Sequence, residues 1–156
     1  RGDISPITEI DPADIDALVI PGGFGSAKNF TTWAFSGPEG TILPEVKLLI
    51  VNLINVGKPI VALCVSPVVL SKALEGSDIK SLMTIGSDKE SSPYDIKGFS
   101  DGLEKLGVKT EMKTINEISI DYENKIITAP CYMMDASIME IRENIRIALD
   151  SLGELL

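Results

Sequence analysis

The sequence predicts an α/β protein with a mostly parallel sheet and helices on both of its faces. Three observations carry this. Short apolar runs of strand length alternate with segments of helical period through most of the chain, the pattern of βαβ units. Two of those runs stop abruptly on turns rich in chemistry, Pro21-Gly22-Gly23 and Cys64-Val65-Ser66-Pro67. The length, 156 residues with 44% hydrophobic, suits one domain with a sizeable core and is too short for two ordinary ones.

The elements follow in order. Ala17-Leu18-Val19-Ile20 reads as a buried strand, closed by the Pro21-Gly22-Gly23 turn. Residues 24–43 read as a loop with helical pieces that holds Phe30, Trp33 and Phe35. Pro44 opens a helix whose Val46, Leu49, Ile50, Leu53 and Ile54 repeat at helical spacing, and Gly57 ends it. Ile60–Leu63 is a strand of four apolar residues. Pro67 starts a short helix to Leu74, and Leu82–Ile85 is a further short strand before a polar loop from Ser87 to Pro93. Ile96, Phe99, Leu103 and Leu106 form a helical stripe closed by Gly107, and Val108–Met112 is a strand. Residues 118–121 and 125–128 flank Tyr122-Glu123-Asn124 as a hairpin. Ser137 and Glu140 have capping-box spacing ahead of a last helix with Ile138, Ile141, Ile145, Leu149 and Leu152 on one face.

Composition narrows the function. The net charge of −9 disfavours a nucleic-acid partner and an anionic membrane surface, both of which call for a basic patch. No apolar run is long enough to span a bilayer and no secretory signal is present. Two cysteines do not make a disulfide framework of the small secreted kind, so a reducing, cytoplasmic setting is expected. The chain has no histidine, which removes Ser-His-Asp and Cys-His dyads and His-based metal sites. No metal and no cofactor are expected. Because the sequence opens at Arg1-Gly2 without Met, it is expected to be the C-terminal two-thirds of a longer chain, residues 1–156 forming a single domain.

Cys64 is the candidate nucleophile. A thiol at the carboxyl end of a buried strand, on the turn into a helix, faces the crevice outside the sheet, where the helix N-terminus favours the thiolate. The same segment also fits an inert core strand that ends in Cys. Gly22 and Gly23 close a strand expected to lie beside it, and glycines there let backbone N–H groups face the crevice. With the N–H of Val65 they would form an oxyanion hole around a carbonyl attacked by Cys64, although Pro-Gly-Gly is also an ordinary tight turn. The glycines match neither phosphate-loop nor dinucleotide spacing. Lys28 and Asn29 suit either a polar substrate contact or the surface. Cys131 fits packing or a second thiol near the crevice.

Val19-Ile20-Pro21-Gly22-Gly23-Phe24-Gly25-Ser26-Ala27-Lys28-Asn29 resembles the ThiJ/PfpI, glutamine amidotransferase-like superfamily. The resemblance narrows to the ElbB-like branch at Gly57-Lys58-Pro59, Cys64-Val65-Ser66-Pro67, Thr84–Asp88, Asp121–Thr128 and Ala129-Pro130-Cys131-Tyr132-Met133, and runs from Arg1 nearly to the C-terminus. It implies a flavodoxin-like three-layer sandwich without its first strand-helix-strand portion, with Cys64 at a nucleophile elbow. It also implies that Gly22, Gly23 and Val65 serve the reaction, and that Phe24, Asn29, Pro67 and Pro130 are further candidates for substrate contact. The superfamily includes amidotransferases, proteases, chaperones and glyoxalases, and the ElbB-like branch is similar to the glyoxalases and linked to isoprenoid synthesis. Its members place a Glu beside the nucleophile in a segment that precedes the region matched here. The amidotransferases need a downstream His, which this chain lacks. The expected activity is therefore conversion of small α-oxoaldehydes to 2-hydroxy acids by Cys64, without a cofactor. The alternatives are a redox-sensing or regulatory protein with an oxidisable Cys64, and a partner-dependent amidotransferase-like subunit. A small carbonyl substrate and a homodimer complete the expectation.

Overall fold

A computed structural model describes Gly2 and residues 4–156. Its strands are β1 (Leu18–Ile20), β2 (Ile60–Leu63), β3 (Leu82–Met83), β4 (Lys109–Thr110), β5 (Ser119–Asp121) and β6 (Ile126–Ala129). Its α-helices are α1 (Trp33–Ser36), α2 (Pro44–Asn55), α3 (Pro67–Leu74), α4 (Ile96–Lys105) and α5 (Ile138–Leu155). The main sheet has the order β1-β2-β6-β5. β1 with β2 and β2 with β6 are parallel, and the β5–β6 hairpin is antiparallel. The mostly parallel sheet of the sequence reading is thus present.

All four residues of β2 and all four of β6 are buried. Strand side chains alternate between faces, so complete burial means that both faces are covered. α3 lies on β2 and packs against α2 and α4, while α5 packs on β2 and β6. β1 stands at the end of the strand order, and its Val19 is 39% exposed.

Two expected strands come out shorter, the first for a visible reason. Leu82–Ile85 keeps only Leu82–Met83, because the Thr84 N–H turns to the Thr128 hydroxyl oxygen (2.8 Å) rather than to a backbone carbonyl. Val108–Met112 keeps Lys109–Thr110, which pairs with β3 as a separate two-stranded parallel sheet. Side chains join this pair to the main sheet: the Asp121 carboxylate accepts from Leu82 N–H at 2.9 Å and also holds the Asn124 amide of the hairpin turn at 3.0 Å.

The 24–43 segment is more ordered than a loop. It contains a π-helical turn (Ser26–Phe30), α1 and a 3-10 turn (Gly37–Glu39). Buried Trp33 stacks on Phe99 of α4 with ring centroids 6.4 Å apart. The buried Lys72 ammonium donates to the Pro38 carbonyl at 3.0 Å and fixes the segment against α3. At the other end of the chain the Ser137–Glu140 capping box forms as expected and starts α5.

Candidate active site

The parallel alignment of β1, β2 and β6 brings their carboxyl ends to one edge of the sheet. Three turns meet there: Pro21-Gly22-Gly23, Cys64-Val65-Ser66 and Pro130-Cys131-Tyr132. Each departs from ordinary backbone geometry. Gly22 and Gly23 have φ of 94° and 82°, and Cys64 and Cys131 have φ of 59° and 49°. Non-glycine residues are uncommon in this region, and such strain persists where the surroundings over-determine it.

Gly22 is required by space as well as by φ. A Cβ at this position would stand 2.6 Å from the Leu63 carbonyl oxygen and 2.8 Å from the Cys64 Cβ. Only a hydrogen fits between the β1 turn and the Cys64 elbow. A Cβ on Gly23 would meet nothing within 4 Å, so that glycine serves its dihedral alone. Ser26 secures the turn: its hydroxyl donates to the Gly22 carbonyl at 2.9 Å and its N–H donates to the Gly23 carbonyl at 3.0 Å. The sequence reading passed over Ser26. Its one signal is a hydroxyl spaced to return to a turn carbonyl.

Cys64 ends β2 with its N–H donating to the Ala129 carbonyl at 2.9 Å. The chain then turns tightly, with Ser66 N–H on the Leu63 carbonyl at 3.0 Å, and α3 begins at Pro67. Proline suits the first helical position, where its missing N–H would have no helical partner. The Cys64 sulfur rests against three backbone N–H groups, those of Gly23, Val65 and Tyr132. Two of the three are the amides expected from sequence. The third was not foreseen, because Tyr132 reaches Cys64 only through the pairing of β6 with β2.

Tyr132 is placed by a buried side chain on α5. The Asn144 Oδ1 accepts the Cys131 N–H at 2.9 Å, and its Nδ2 donates to the Glu117 carbonyl at 2.8 Å. This fixes the left-handed Cys131 and the peptide that follows it.

A cavity of about 420 Å³ opens over the sulfur. Its wall carries Phe24, Trp33, Tyr94, Phe99 and Tyr132 and no charged residue, and its ionisable groups are Cys64, Cys131 and the two tyrosines. Gly23, Phe24, Cys64 and Val65 therefore line one cavity. Gly22 lies behind the wall, where it spaces the turn. Pro67 and Pro130 are buried and shape their turns without reaching the cavity, and Asn29 is exposed away from it. Trp33, which the sequence offers as loop packing, a pocket wall or an oligomer contact, and Phe99, which it presents as helix packing, both form part of the wall. Among the described residues no group of three His, Cys, Asp or Glu is placed to hold a metal ion. No helix among them is long and apolar enough to cross a membrane.

Electrostatics set the resting state of the thiol. Burial pushes the Cys64 thiol above its ordinary value, and the Gly23, Val65 and Tyr132 amides pull it part of the way back. Cys64 therefore rests as a thiol at neutral pH. The alkylation rate of Cys64 by iodoacetamide is expected to keep climbing as pH rises past 9, since only the thiolate reacts. A rate that levels off below pH 8 would contradict a burial-dominated thiol.

No model of a protein family matches the sequence. A human protein named glutamine amidotransferase-like class 1 domain-containing protein 3, mitochondrial, is 32% identical over 148 residues, or 93% of this chain and 53% of that protein. The chain thus spans about half the length of this relative. The crystal structure of an isoprenoid biosynthesis protein with amidotransferase-like domain from Ehrlichia chaffeensis matches with a TM-score of 0.80 at 30% identity, over 96% of this chain and 63% of that one. The chain belongs to the ThiJ/PfpI superfamily. DJ-1beta of Drosophila melanogaster matches over 92% of this chain and 63% of its own, with a TM-score of 0.51 and 21% identity, and has the same fold. The flavodoxin-like α/β class expected from the resemblance is therefore correct. In this ThiJ/PfpI chain, the strand-end thiol and the glycine turn occupy adjacent parallel strands, and β6 adds the third amide.

Proposed function

We propose that this ThiJ/PfpI chain carries the nucleophilic site of a cofactor-independent, glyoxalase-type enzyme that converts small α-oxoaldehydes to 2-hydroxy acids. The observation that carries this reading is the convergence of three backbone N–H groups on the Cys64 sulfur. Preorganised N–H donors beside a nucleophile stabilise negative charge as it passes from sulfur to the carbonyl oxygen of the adduct. The apolar wall supports a neutral substrate such as an aldehyde over the zwitterionic amino acid that a glutaminase must hold.

In this reading the Cys64 thiolate adds to the aldehyde carbon and gives a hemithioacetal. A proton then leaves the former aldehyde carbon and another arrives at the adjacent ketone carbon, leaving a thioester. Water hydrolyses the thioester, freeing the 2-hydroxy acid and the thiol. The sum is oxoaldehyde plus water to 2-hydroxy acid, with no external oxidant or reductant. The wall of the cavity bears no carboxylate, so the proton transfers require a base beyond it, and the family resemblance assigns that role to a Glu. The mitochondrial location in the human relative's name is a property of that protein. For this chain the proposal asks only for a reducing setting that keeps Cys64 free.

The test is lactate formation from methylglyoxal by the purified protein and its Cys64→Ala and Cys64→Ser variants. Turnover is expected with the unsubstituted protein and a fall of at least about a thousandfold in both variants, the scale of losing a covalent nucleophile. Equal rates in all three would sink the proposal.

A further inference from the structure

Cys131 is the buried nucleophilic group that this chemistry leaves unused. It lies two residues beyond β6, the strand beside β2, while Cys64 directly follows β2, and the two cysteines are the only ones in the sequence. The register pairs Leu63 with Ala129, so Cys64 and Cys131 follow paired residues by one and two positions, on strands spaced about 4.8 Å apart. The last ladder bond, Cys64 N–H to the Ala129 carbonyl, ties the two turns together immediately beside both thiols. Each sulfur lies against backbone of the other's turn: Cys64 sulfur against the Tyr132 amide, and Cys131 sulfur against the Cys64 amide. Both line the same cavity. Both also hold the left-handed backbone, which turns each side chain out of its strand. Asn144 fixes Cys131 in that conformation.

We infer that Cys64 and Cys131 form a dithiol site that closes to an intramolecular disulfide when a hydroperoxide oxidises Cys64. The Cys64 sulfur attacks one peroxide oxygen, the O–O bond breaks, and the other oxygen leaves as alkoxide and takes up the thiol proton. Cys64 is then a sulfenic acid. The Cys131 sulfur, losing its proton, attacks the sulfenic sulfur, the S–O bond breaks, and the hydroxyl leaves with that proton as water. Two thiols lose two electrons and the hydroperoxide becomes an alcohol and water. Burial, helped by the neighbouring Cys64 charge, outweighs the lowering pull of the Cys64 amide and holds the Cys131 thiol up at about 12. Cys131 is therefore inert to reagents in solution and meets only the sulfur beside it. Fixed proximity offsets its small thiolate fraction, because closure is intramolecular. The order of events also follows from access: Cys64 is 9% exposed and Cys131 is 1% exposed. This site stands on geometry separate from the glyoxalase reading and holds whether or not an oxoaldehyde is turned over.

The experiment treats the reduced protein with one equivalent of hydrogen peroxide, then counts thiols and measures intact mass. Both thiols are expected to disappear together with the loss of two hydrogens, to give a Cys64–Cys131 linked peptide, and to return with dithiothreitol. Cys131→Ala is expected to stop at the Cys64 sulfenic acid, with dimedone labelling at least about tenfold above the unsubstituted protein. Equal dimedone labelling of the two proteins, with Cys131 still free in the first, overturns the inference, as does a disulfide that links two chains. Phenylarsine oxide, which bridges two close thiols, supplies a readout that needs no substitution. One arsenical per chain that blocks Cys64 alkylation supports the site, and failure to block it overturns it.

Discussion

Replacing Gly22 with alanine is expected to cost about 3 kcal/mol and to lower the melting temperature by roughly 6–12 °C. The cost has two sources. A φ of 94° is strained for any L side chain, and the new methyl would meet the Leu63 carbonyl oxygen at 2.6 Å and the Cys64 Cβ at 2.8 Å. Both obstacles belong to a strand end and its elbow, so neither yields by a simple rotamer change. Either the β1 turn retreats or the elbow does. Cys64 alkylation should change with stability, because the Gly23 amide moves with the turn. Gly23→Ala provides the control: its methyl enters open space, so the backbone strain of about 1–2 kcal/mol remains without the clash. Thermal melts of the two variants decide the matter. If Gly22→Ala melts no lower than Gly23→Ala, the close approach is not what makes glycine necessary.

The second large effect is expected at Asn144, which touches neither substrate nor sulfur. Asn144→Leu keeps the volume and removes both hydrogen bonds, leaving the buried Cys131 N–H and the Glu117 carbonyl without their partner. A loss of about 2–4 kcal/mol follows from two such groups. A purely structural role would end there. A positioning role adds a chemical signature, because Asn144 holds the turn that presents the Tyr132 amide to Cys64. That amide lowers the thiol, so loosening it should move the pH profile of Cys64 alkylation upward in Asn144→Leu. An unchanged profile in a folded variant would restrict Asn144 to scaffolding.

The parts legible in the sequence are those fixed by local patterns. The apolar Ile60–Leu63 run, the glycine turn, the Pro67 helix start and the Ser137–Glu140 cap each state their structure within a few residues. The tight turn at Cys64 is marked by an apolar strand that stops just before the Pro67 helix start. The less legible parts depend on which strands become neighbours. Tyr132 enters the site because β6 inserts between β2 and β5, an order that no local pattern encodes. β3 is shorter than its apolar run because Thr84 finds a side-chain acceptor on β6, which only the assembled sheet supplies. Ser26 and Asn144 act on backbone groups elsewhere in space, and in the sequence each looks like an ordinary polar residue. Phe99 joins Trp33 in the aromatic wall for the same reason: the two lie far apart in the chain and meet through stacking.

The three amides around Cys64 come from the twenties, the sixties and the one-thirties of the chain. No short peptide containing the elbow can reproduce that environment. Contacts so distant in sequence form only after long loops have closed, which makes them late and cooperative events in folding. The reactivity of a single sulfur thereby reports on the joining of all three segments. A thiol probe that follows refolding should record the completion of the sheet rather than the appearance of helices, making Cys64 a built-in clock for the last step of assembly.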